Sequence, residues 1–217
     1  MTLDISNIVS NLSKLQENPN LKQLLSQLSG LGPSLVFGGA VRDWIVGKTP
    51  RDIDIVIDCS TKSLSLLDRY KGVKNKFGGY KLQVDGIEFD IWSLENTWAL
   101  KNDAKFEKKL ATIPFTAFLN LDAIAYRLDS QEIYENGFQR AMTSKLLDIM
   151  YEPNPYPYLC VSKALCALSK YELSASDNLK RYVEEQKSRG YNKKSFEKYN
   201  EMAGINFNYE ECLKRIS

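Results

Sequence analysis

The chain has 217 residues, with 29 Lys and Arg against 27 Asp and Glu for a formal net charge of +2, four cysteines and no histidine. The missing histidine excludes His-dependent triads, His general bases and His-ligated zinc in this polypeptide, so catalysis must rest on carboxylates, cations and metal. The length suits one moderate domain or a head with a small appendage, and Cys59, Cys160, Cys166 and Cys212, without C-x-x-C spacing, read as reduced thiols of a reducing compartment.

Leu15, Leu21, Leu24, Leu25 and Leu28 recur mostly at three- and four-residue steps, which predicts one or two short amphipathic helices over 4–29, ending at the breaker formed by residues 30–33. No long apolar run occurs there, so neither a signal peptide nor a membrane span is expected, no membrane partner is expected, and the cytoplasm is the expected location. Residues 34–37 form a short apolar strand and 40–46 a helix, with Gly38 and Gly39 between them. Successive backbone N–H groups in such a turn make an anion-binding concavity, and glycine lets a phosphate come close to the backbone.

Residues 51–58 read as a strand. Its period of two puts Asp52, Asp54, Val56 and Asp58 on one face and Ile53, Ile55 and Ile57 on the other, so two carboxylates stand over an apolar backing. Phosphates beside paired aspartates suggest metal-assisted phosphoryl or nucleotidyl transfer. A helix is expected over 63–70, then a hairpin of 76–84 and 87–94 joined by Asp85 and Gly86. In its second arm Glu88, Asp90 and Trp92 share a face, which makes Asp90 the candidate third acid: two metal ions, one for the attacking hydroxyl and one for the triphosphate, need more than a bridging pair.

A strand pair over 123–128 and 132–134 and a helix over 138–147 follow. Pro153, Pro155 and Pro157 then mark a stiff connector, placing the domain boundary at 150/151. Beyond it, 159–171, 175–189 and 193–201 read as helices. Lys163 lies on the first of these, and Lys180, Arg181, Lys187, Arg189, Lys193, Lys194 and Lys198 are interleaved with Tyr182, Tyr191, Phe196 and Tyr199 near the C-terminus. That interleaving can hold phosphates and stack bases, or be an ordinary charged helix face over buried aromatics, the commoner case.

The run Gly38, Gly39, Val41, Arg42, Asp43, then Val46 and Gly47, then Asp52 and Asp54 resembles the head domain of the tRNA nucleotidyltransferase and poly(A) polymerase family, within the polymerase β-like nucleotidyltransferases. The resemblance implies an α+β fold: a polymerase β-like head with a small mixed sheet and flanking helices over 1–150, followed by a short helical neck over 151–217. It implies an NTP-using enzyme that moves a nucleoside monophosphate to a hydroxyl acceptor, most plausibly a tRNA-like RNA 3′ end, with ATP among the NTPs it would bind. Two Mg²⁺, with Mn²⁺ as the alternative, would be held by Asp52, Asp54 and Asp90, the catalytic acids. Gly38, Gly39 and Arg42 would bind the nucleotide, and Lys163, Lys180, Arg181, Lys193 and Lys194 the RNA, with a protein partner as a further source of acceptor recognition.

Two stretches depart from the family. Residues 116–123 lack its paired arginines, and Tyr156, Pro157 and Cys160 stand where Glu, Asp and Arg of the base-reading set are expected. The alternatives are a head-only toxin or defence-type transferase acting on a protein or small molecule, and a catalytically silent nucleotide-binding module.

Overall fold

The computed structural model describes residues 4–216, so residues 1–3 of the expected head and residue 217 of the expected neck lie outside it. The chain divides into two compact units, one of Met1–Ala117 with Asp122–Asn136, the other of Phe118–Leu121 with Gly137–Ser217.

In the first unit, helices α1 (Ser6–Glu17) and α2 (Pro19–Ser29) part at Asn18. The Asn18 side chain accepts hydrogen bonds from the N–H groups of Asn20 and Leu21, and Pro19 supplies the first helical position. Such a cap stabilises a helix by about 1 kcal/mol. Strand β1 (Ser34–Phe37), helix α3 (Gly39–Ile45) and strand β2 (Asp52–Ile57) follow. The helix expected over 63–70 is a 3₁₀ helix, Thr61–Tyr70, whose buried Leu64 and Leu67 repeat every three residues as that helix requires. Strands β3 (Val73–Lys74), β4 (Tyr80–Val84) and β5 (Ile87–Ser93) come next, and Asp85 and Gly86 both take positive φ, the geometry that suits a tight hairpin. Helix α4 (Trp98–Asn102) and strands β6 (Ile124–Arg127) and β7 (Ile133–Glu135) complete the unit.

The seven strands form one sheet in the order β3-β4-β5-β2-β1-β6-β7, antiparallel throughout except for the parallel β2–β5 pair. Register gives the sheet two unlike faces. Across the back run Tyr80, Ile91, Ile55, Val36, Tyr126 and Ile133, apolar from β4 to β7, with Lys74 of β3 beyond Tyr80 at the edge; α3 packs on β2 and α1 on α3. Across the front run Lys81, Asp90, Asp54, Phe37, Ala125 and Tyr134. One end of that front face is apolar: Leu35, Val56 and Ala125 are buried with Leu94, Leu100, Leu110 and Ile113. The other end carries the acids.

The second unit is mainly helical: α5 (Phe138–Ser144), α6 (Pro157–Lys170), α7 (Asp177–Ser188), α8 (Lys193–Ala203) and α9 (Tyr209–Lys214), with a two-strand pair of β8 (Leu146–Leu147) and β9 (Ser174–Ala175). The helix expected over 138–147 stops early because Lys145 turns left-handed, freeing β8 to pair. Phe138, Val161, Leu165, Leu168, Leu179, Val183 and Phe196 are fully buried. The units part at 136/137, upstream of the 150/151 boundary expected from the prolines. Residues 118–121 explain why: Asn120 donates to the Leu146 carbonyl and accepts from the Asp148 N–H, Met150 N–H donates to Phe118, and Leu119 bridges Ile149. Pro157 opens α6 rather than preceding it, a position where its missing N–H costs nothing. No helix among the described residues is long and apolar enough to cross a membrane.

Candidate active site

The acids reach one place because β2 and β5 run parallel in register. Asp54 lies directly beside Asp90, and Asp52 beside Glu88, with Asp52 two residues along the same face from Asp54. All three aspartates are partly exposed, unlike Ile53, Ile55 and Ile91 behind them. Arg51 donates to Asp52 through Nη2 at 2.6 Å and Nε at 3.2 Å. On β4, the exposed Lys81 stands across from Asp90. Burial raises the Asp90 carboxyl above its ordinary range, Lys81 opposes the rise, and the Asp52 charge adds to it.

Among the described residues no three acidic, cysteine or histidine side chains close into a metal cage. The donor set nonetheless suits Mg²⁺, a hard ion that holds one or two carboxylates and completes its shell with water and substrate phosphates. Hard oxygens, partial exposure and an adjacent glycine turn are what such an ion needs.

That turn follows directly from β1. Phe37 pairs with Asp54, so Gly38 leaves the sheet next to the acids. Gly38 takes φ 68° and ψ −119°, a conformation that excludes a side chain without strain. Its N–H donates to the Ile124 carbonyl at 2.8 Å, so its amide belongs to the sheet and not to a bound anion. The amides of Gly39, Ala40 and Val41 precede the first helical bond, from Arg42 N–H to Gly38 at 3.0 Å. Arg42 points inward: its Nε donates to Asp43 at 2.9 Å and its Nη1 to Asp122. All three are buried, Arg42 at 9 %, Asp43 at 1 % and Asp122 at 5 % exposure. Arg42, expected as a phosphate ligand, thus has two carboxylate partners within the protein.

The remaining expected residues belong to the second unit. Tyr182, Tyr191 and Phe196 are buried in the second unit, leaving Tyr199 alone partly exposed among the four interleaved aromatics. Lys187 pairs with Glu184, Arg189 with Glu185 and Lys193 with Glu197, each one helical turn away. Lys163, Arg181, Lys193 and Lys194 are exposed and Lys180 is half-buried. At the start of α6, Tyr156 and Pro157 are uncharged and Cys160 is buried, its thiol pushed up to about 12 by desolvation against the opposing charge of Lys163. Sequence patterns alone did not single out Lys81 or Asp122. Lys81 is visible in the alternation of β4, whereas nothing local marks Asp122, which precedes β6 in an apolar run.

Residues 34–135 match the family model described as the poly A polymerase head domain. No curated protein matches the chain. Among solved structures, a Thermotoga maritima CCA-adding enzyme complexed with tRNA is 18 % identical with a TM-score of 0.67, covering 94 % of this chain and 52 % of its own. A CCA-adding enzyme complexed with ATP is 19 % identical with a TM-score of 0.66 over 99 % of this chain and 53 % of its own. Another, complexed with CTP, is 19 % identical with a TM-score of 0.65 over 94 % and 52 %. At these identities the likeness is one of fold, and the chain spans about half the length of those neighbours.

Proposed function

We propose that this chain, whose residues 34–135 match the poly A polymerase head domain, is a metal-dependent nucleotidyltransferase that adds nucleoside monophosphates to a tRNA-like RNA 3′ end. The observation that carries the reading is the register of Asp54 beside Asp90, with Asp52 on the same face and the Gly38–Gly39 turn leaving the adjoining strand. ATP, CTP and tRNA in the structural neighbours support the substrate classes.

In the reaction the acceptor hydroxyl oxygen bonds the α-phosphorus, the bond from that phosphorus to the bridging oxygen breaks, pyrophosphate departs, and the hydroxyl proton passes to solvent. Asp52, Asp54 and Asp90 would hold two Mg²⁺, or Mn²⁺, which when bound polarise the α-phosphate and acidify the attacking hydroxyl. The turn at Gly38 and Gly39 admits the triphosphate to the backbone, and the apolar half of the front face fixes the strands that carry the acids. Tyr156, Pro157 and Cys160 offer no charged pairing to a base edge, so nucleotide choice is relaxed or follows a rule other than C-then-A. Four free thiols and the use of NTPs suit the cytoplasm.

Incubation with each labelled NTP, Mg²⁺ and total RNA tests the reading. Label in RNA, released by ribonuclease, is the expected result. Label only in protein or small molecules would move the acceptor to those classes, and no incorporation with any NTP would refute the activity.

A further inference from the structure

Arg42 is a buried cation with two carboxylate partners. Its Nε is held by Asp43 on its own helix and its Nη1 by Asp122, on the turn before β6. Arg42 and Asp122 also flank the glycine turn. A Cβ added to Gly39 would lie 3.3 Å from Arg42 Nη2, and one added to Gly38 would lie 3.6 Å from the Asp122 carbonyl and 3.8 Å from its Cβ. Gly38 and Gly39 are therefore packed between the guanidinium and the aspartate. Beneath them the Gly38 N–H is fixed to Ile124, two residues beyond Asp122.

We propose that Asp122 is a positioning residue: by ion-pairing Arg42 it fixes the Gly38–Gly39 turn beside Asp54 in the conformation that receives the triphosphate. The inference rests on the nucleotidyltransferase reading and assigns Arg42 a different task from direct phosphate contact. A buried guanidinium shared by two carboxylates holds its geometry in both directions, toward α3 through Asp43 and toward β6 through Asp122. A triphosphate ligand would have to take the cation from both.

The test uses the full chain with Asp122→Ala and Asp122→Asn, because Asn keeps an oxygen that can accept from Arg42 Nη1. Hydrogen exchange at residues 38–42 reports the turn without any ligand, and titration with inorganic tripolyphosphate in Mg²⁺ reports binding without a base. Asp122→Ala should speed exchange at 38–42 and weaken tripolyphosphate by about 10-fold or more, since small misplacements of a binding group are costly. Asp122→Asn should recover most of both. In turnover the loss should fall on KM for the NTP more than on kcat.

If Arg42 is instead a phosphate ligand, releasing it from Asp122 leaves tripolyphosphate binding unchanged or tighter, and the proposal is overturned. Unchanged exchange at 38–42 in Asp122→Ala overturns it as well. Failure of the unsubstituted chain to bind tripolyphosphate would remove the nucleotidyltransferase reading together with the triphosphate role of Asp122. Where that chain binds and Asp122→Ala binds equally well, this inference alone falls.

Discussion

Asp54 and Asp90 are held side by side by two parallel strands whose other faces are buried, so each carboxylate can change chemistry without disturbing the core. Asp52→Asn and Asp54→Asn should therefore lower kcat by about 1000-fold or more, on the scale of removing a group that stabilises charge only in the transition state. The melting temperature should move by no more than a few degrees. A variant with ordinary turnover would take its residue out of the metal site. Lys81 makes a subtler case, because a cation across from Asp90 both offsets the acids and attracts phosphate. In Lys81→Ala the half-saturating Mg²⁺ concentration should fall while KM for the NTP rises. If both move the same way, Lys81 is a surface residue with no part in the balance.

At this scale, periodicity made the acids legible: alternation in β2 and β5 and the Asp85–Gly86 turn put Asp52, Asp54 and Asp90 on usable faces. Their meeting depended on β2 and β5 pairing in parallel, a long-range fact that no local pattern contains. Asp122 was illegible for the same reason. Its partner Arg42 is eighty residues away, and an ion pair of that span leaves no spacing signal.

Among elements, the basic helices after the prolines show how a pattern can be right and its use open. Helices over 159–171, 175–189 and 193–201 stand close to α6, α7 and α8, yet the apolar face of that segment places Tyr182, Tyr191 and Phe196 in the interior. Base stacking cannot come from those rings. Stacking in that segment is left to the partly exposed Tyr199, and phosphate contact falls to exposed cations such as Lys193 and Lys194, the former with Glu197 at 3.8 Å as a loose, screened partner. A Lys193→Ala, Lys194→Ala double variant should weaken RNA binding and flatten its salt dependence by about one unit of slope for each phosphate no longer neutralised. Tripolyphosphate binding, proposed for the glycine turn, should persist. Unaltered RNA affinity and slope would make the segment a solvated helix face.

Both units keep thiols neutral by burial, the second keeps phenols so as well, and this sets how stability responds to base. In the first unit desolvation, with Glu95 and Asp58 adding, pushes the Cys59 thiol up to about 11. In the second, burial pushes Cys160 and Cys166 each up to about 12 and raises Tyr182 and Tyr191 as well. In the unfolded chain thiols ionise near 8.5 and phenols near 10, to within about a unit. A group whose native value is raised contributes its full stability below the unfolded value and loses it as pH climbs toward the native one. Urea midpoints should therefore be insensitive to these groups below about pH 8 and fall steadily from there to about pH 12, with protons released on unfolding at pH 10. The same burial should make Cys160 and Cys166 slow to react with a thiol reagent at pH 8 in the native protein and fast in urea, since the thiolate is the reactive form. Immediate reaction of all four cysteines in the native chain, or a midpoint that holds from pH 8 to 11, would show that these thiols and phenols are not desolvated as the packing requires.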